Sequence, residues 1–120
     1  MSSTSRSGVK SHVMASFQQF HRLRSGLLEG VQRGSLDGLV PLQQHLASEV
    51  QWMTGIKPAI GDWPTDKQAS LHRYGRDVLA LMVLINVAVK VRPLEEDRFK
   101  HVGVGLLSLL ALEPGMKAVL

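Results

Sequence analysis

Apolar side chains recur along the first third of the chain at Val9, Val13, Phe17, Phe20, Leu23, Leu27 and Val31. The steps are three or four residues and average about 3.7, close to the helical period and away from the 3.5 of a heptad seam. One amphipathic helix over residues 9–33 is predicted, with a bend or break at Ser25-Gly26, because glycine inside a helix costs roughly 1 kcal/mol against alanine. Gly34 supplies the stop. A second stripe, Leu39, Leu42, Leu46, Val50 and Met53, predicts a helix over 38–54. Ser35 or Asp37 is placed to cap it, Pro41 is tolerated in its first turn, and Gly55 ends it. Residues 56–64, IKPAIGDWP, hold two prolines and a glycine and read as an ordered loop that no helix crosses.

Thr65-Asp66-Lys67-Gln68 has the form of a capping box, in which the threonine hydroxyl accepts the Gln68 amide while the glutamine side chain reaches back. A third helix over 66–91 is expected, stopping ahead of Pro93, which disfavours helical geometry at Arg92. Pro93 then opens a fourth helix over 94–112, whose first turn places Glu95, Glu96 and Asp97 at the partially positive helix start. Glu113-Pro114-Gly115 interrupts the chain, and residues 116–120 are read as a short apolar tail. The predicted fold is all-α, a four-to-five-helix bundle or orthogonal array around a central apolar helix. It forms one domain over 9–115, preceded by a flexible basic, Ser-rich segment 1–8.

The third helix contains the greasiest stretch of the sequence, twelve positions from Val78 to Val89 interrupted only by Asn86. As a helix this run is about 18 Å long, short of the hydrocarbon thickness of about 30 Å. Lengthening it brings in Arg76, Asp77 and Lys90. A core helix is the simpler reading, with Asn86 hydrogen-bonded inside or setting helix register. Leu106, Leu107, Leu109, Leu110 and Leu112 likewise occupy more than one face of the fourth helix. Two such helices are many for a chain of 120 residues, and uncovered apolar surface marks partner sites. Gly103, Leu106, Leu107 and Leu110 are the candidate interface, with Gly103 and Gly105 admitting a neighbouring helix closely.

Charge changes the picture at the N-terminus only. The net charge of +4 is carried entirely by residues 1–34, where Arg6, Lys10, Arg22, Arg24 and Arg33 face Glu29 alone; the remainder balances. A basic, serine-rich, acid-poor beginning is also the composition of a mitochondrial targeting helix, and with Met1 in place a cleaved presequence is disfavoured, which leaves an uncleaved targeting helix open. Lys10, His21, Arg22 and Arg24 interleave with Phe17 and Phe20, a set suited to phosphates of nucleic acid or of an anionic membrane surface. The simpler account is a core-packing helix with a solvated basic side.

The absence of cysteine removes disulfides, thiolate nucleophiles and zinc–thiolate sites. None of His12, His21, His45, His72 and His101 pairs with another at i, i+4 across a glutamate, and no phosphate loop or nucleophile elbow occurs. No catalytic, cofactor or metal residue is nominated, and no small-molecule substrate. The expected role is non-enzymatic: a structural or assembly subunit that self-associates or docks on a protein partner, intracellular, with the mitochondrion as the specific candidate compartment. The rival is a small basic nucleic-acid-binding or packaging protein of capsid or silencing-suppressor type, using the first helix.

Overall fold

The structure is a computed structural model that describes residues 6–90 and 96–120, with side chains described over 8–90 and 100–120. It is all-α. Among the described residues five helices follow one another: α1 Arg6–Gln32, α2 Leu39–Ile56, α3 Thr65–Lys90, α4 Glu96–Leu110 and α5 Glu113–Val119, with a 3-10 turn Lys57–Ile60 between α2 and α3. The expected start of the fourth helix at Pro93 to Glu95 lies outside the described residues, as does most of the 1–8 segment; Arg6 to Gly8 already belong to α1.

The stripe predicted on the first helix faces the core. Val9, Val13, Phe17, Phe20 and Leu27 are buried, Leu23 is half-buried, and only Val31, at the end, is exposed. The break expected at Gly26 does not occur: α1 runs through it unbroken. Tertiary burial of the stripe on both sides outweighs a local cost of about 1 kcal/mol. The stop is where the sequence placed it. Gly34 takes a φ of +74°, its N–H donates to the Val31 carbonyl (2.9 Å), and Ser35 N–H donates to the Gly30 carbonyl (2.7 Å). This pair of bonds satisfies carbonyls that the helix end leaves free and requires a left-handed residue between them.

Four other local expectations are corrected. Neither Ser35 nor Asp37 caps α2; the cap position is Gly38, and Ser35 Oγ instead accepts the Asp37 N–H. Gly38 is there because α1 passes close: a Cβ on it would stand 2.9 Å from the Leu27 Cα. In the 56–64 segment the helix continues to Ile56 and tightens into the 3-10 turn, which buries Ile60. The capping box at Thr65 does not close: the Gln68 N–H donates to the Pro64 carbonyl (3.0 Å) instead of the threonine hydroxyl, and Gln68 Nε2 donates to the carbonyls of Gly61 (3.0 Å) and Trp63 (2.7 Å), tying the turn to α3. The apolar "tail" belongs to α5. Pro114 sits at its start, Met116 is buried, and Lys67 Nζ donates to the Val119 carbonyl, a cation at the negative end of the helix.

Helix α3 is central: it packs against α2, α4 and α5, while α1 closes the set against α2, α4 and α5. Its inward side, Leu71, Tyr74, Val78, Leu81, Ile85 and Ala88, is buried. Asn86 accepts a hydrogen bond from Gln43 Nε2 of α2, so the one polar residue of the apolar run joins two helices. Gly105 admits α3 closely, since a Cβ there would lie 3.1 Å from Leu81 Cδ1 and 3.4 Å from Leu84 Cδ1. The molecule is elongated, with extents of 46 × 24 × 22 Å and a radius of gyration of 15.2 Å. A compact domain of this length has about 13.6 Å. The long sides of the outer helices are therefore left uncovered.

Candidate functional site

Spacing places four polar side chains opposite one another. His12 and Ser16 stand at i, i+4 on α1, His45 and Glu49 at i, i+4 on α2, so each pair shares one helix face. Tyr74 of α3 joins them. Glu49 and Ser16 are almost fully enclosed, 3% and 4% exposed. Tyr74 Oη donates to Glu49 Oε1 at 2.6 Å, and His12 Nε2 lies 2.9 Å from Oε2 and 3.1 Å from Oε1. Ser16 Oγ is 2.6 Å from Tyr74 Oη and 3.0 Å from His45 Nε2.

The direction of this chain follows from counting protons. A carboxylate only accepts, and a phenol has one proton, which goes to Glu49. Ser16 must therefore donate to Tyr74, and its oxygen is left to accept from His45 Nε2–H. The order is His45 to Ser16 to Tyr74 to Glu49. Burial, reinforced by the Glu49 charge, pushes the Tyr74 hydroxyl far above its ordinary range, so it keeps its proton. Burial also pulls His45 below 6.5, against the opposing pull of Glu49. Aromatic rings wall the chain: Trp52 stacks on His12 at 3.7 Å, Phe17 meets Tyr74 edge-on at 5.4 Å, and Phe20 meets His45 edge-on at 4.5 Å.

Ser16 and His45 have the separation of a nucleophile and its base, but the polarity is reversed. The imidazole donates to the hydroxyl, so it is not set to remove the proton. Protons here are held rather than passed on. The arrangement joins α1, α2 and α3 in one register. Sequence reading overlooked it, although a signal was present: Glu49 falls between Leu46 and Met53 in the phase of the apolar stripe, where a solvated acid does not belong.

Two surface features have the opposite character. Along the outer side of α3, Leu79, Val83 and Val87 repeat every four residues and are exposed, with Val83 at 54%; Leu84 beside them and Val104 on α4 are exposed as well. At one end of this ridge a groove of about 250 Å³ opens between α2, the 3-10 turn and α3. Val50, Met53, Ile60 and Leu79 give it an apolar floor, and Lys57, His72 and Arg76 also line it.

The residues singled out from sequence are dispersed. Of the candidate interface, Leu106 and Leu110 are enclosed in the chain's own core and are withdrawn from it. Leu107 is exposed, and a Cβ on Gly103 would meet nothing within 4 Å. Of the basic set, His21 Nε2 contacts Glu113 Oε1 at 2.9 Å, Arg22 donates to Gln19 at 3.4 Å, and Lys10 and Arg24 are half-buried. An acid from α5 thus pairs with one member of the set read as basic. Among the described residues no group of three His, Asp or Glu side chains comes together as a metal site. Also among them, the stretch long and apolar enough by length and composition to cross a membrane is Lys100–Val119, not 78–89. The turn at Ala111–Leu112 divides it between α4 and α5. Comparison with family models, curated proteins and solved structures gives no match, so geometry alone bears on function.

Proposed function

We propose that this chain is a non-enzymatic assembly subunit that associates with protein, its own copies included, through the outer side of α3 and the exposed Val104 of α4. The observation that supports this is the ridge Leu79, Val83, Val87, exposed on the helix that is otherwise the centre of the fold. Five such side chains, each about half-covered already, would add about 1 kcal/mol apiece when enclosed, or about 5 kcal/mol together. Association itself costs about 4–15 kcal/mol, so the ridge is the centre of an interface and surrounding contacts complete it. The buried Glu49 chain suits such a role, since it rigidifies the three helices behind the ridge.

The test is sedimentation of the purified chain with and without Val83→Glu and Val87→Glu. The native sequence is expected to associate with rising concentration and to bind bis-ANS, and the double variant to lose both while keeping its helical circular dichroism. A native chain that stays monomeric and binds no dye refutes the reading.

A further inference from the structure

The groove beside Gly75 has a composition that neither the core nor the outer ridge explains. Its floor is apolar, and the residues lining it include one lysine, one arginine and one histidine but no aspartate or glutamate. Among the described residues, the side chains of Lys57, His72 and Arg76 make no hydrogen bond or ion pair. Thr54, also in the lining, has its hydroxyl committed to the Val50 carbonyl at 2.9 Å. His72 and Arg76 are one turn apart on α3 and so share a side of it, while Lys57 comes from the turn after α2.

Gly75 lets Met53 of α2 lie close against α3 at the groove. With no side chain there, Met53 reaches across the helix, its Cε 3.1 Å from where a Cβ would stand. A thioether on a flexible, unbranched chain is well suited to adapt to an apolar guest. The volume of about 250 Å³ holds a small molecule only. An apolar cavity of about 150 Å³ takes a six-carbon ring, so this groove suits a ligand of about that size or slightly larger.

We propose that this groove binds a small amphipathic carboxylate, a chain of six to eight carbons lying over Met53, Ile60 and Leu79 with its head held by Lys57 and Arg76. Arginine offers a carboxylate two parallel N–H donors, and lysine adds a point charge. An apolar floor beside uncompensated cations selects against both a bare anion and an apolar amine of equal length. The site shares Leu79 with the assembly ridge, but it needs no partner and leaves Val83 and Val87 free.

The test is a titration of 15N-labelled chain carrying Val83→Glu and Val87→Glu, which removes the ridge as a competing apolar surface and makes the outcome independent of self-association. Octanoate is expected to give saturable shifts confined to residues 50–60 and 72–79. Acetate and octylammonium are expected to give none. Lys57→Glu and Arg76→Glu should each weaken octanoate about tenfold or more, the loss of one charge-assisted bond. Gly75→Leu, which fills the groove without altering charge, should abolish binding. Lys57 and Arg76 are exposed, and the atom facing a side chain at Gly75 is the flexible end of Met53, which must shift to admit it; circular dichroism checks that the fold is kept. Absence of saturation, equal response to octylammonium, shifts mapping elsewhere, or unchanged affinity in the charge variants overturns the proposal.

Discussion

Replacing Tyr74 with phenylalanine isolates one proton. The ring stays, so no cavity forms and the edge contact with Phe17 is retained, but Glu49 loses its 2.6 Å donor while remaining enclosed. Ser16 loses its acceptor at the same time. A hydrogen bond to a charged group contributes about 1.5–3 kcal/mol and a neutral one about 1, so the expected cost is about 2–4 kcal/mol. That is a large part of the 5–15 kcal/mol typical of a domain. Urea unfolding followed by circular dichroism and by Trp52 and Trp63 fluorescence should show a lower midpoint with an unchanged slope. The pH dependence is a sharper check. The folded chain holds the phenol proton above the ordinary value of 10.0, so above that pH the unfolded chain loses a proton that the folded chain keeps. Stability must therefore fall as pH rises past 10, by about 1.4 kcal/mol per pH unit, and Tyr74→Phe must lack this component. A variant within about 0.5 kcal/mol of the native chain, with the same alkaline limb, would refute the directed chain from His45 to Glu49.

Other outcomes follow from single contacts. Gly26→Ala should stabilise by about 1 kcal/mol, read as a raised urea midpoint, because α1 is continuous there and a Cβ meets nothing within 4 Å. Gly38→Ala should do the reverse, costing about 1–3 kcal/mol, since the Leu27 backbone 2.9 Å away cannot yield as a side chain would. His45 is held below 6.5 in the folded chain, so the unfolded chain takes up its proton first and stability is lost as pH falls from 6.5 downward. Comparison with His45→Gln across that range should show a shallower acid limb in the variant.

Much of this fold was legible because polar residues mark the outer side of α1 and α2. Where that contrast exists, the 3.6-residue period assigns faces without further information, and Gly34 and Pro114 punctuate the chain by backbone sterics alone. Glu49 shows the limit of the method. Its phase marked it as inward, yet a buried carboxylate is tolerable only with donors from other helices, and His12 and Tyr74 lie 37 and 25 residues away. Likewise Leu106 is enclosed and Leu107 exposed, although the sequence treats them alike. On a helix apolar nearly all round, periodicity carries no orientation. Which side is inside is decided by where the neighbouring helices stand, and it is that arrangement which leaves Leu79, Val83 and Val87 bare and opens the groove beside Gly75.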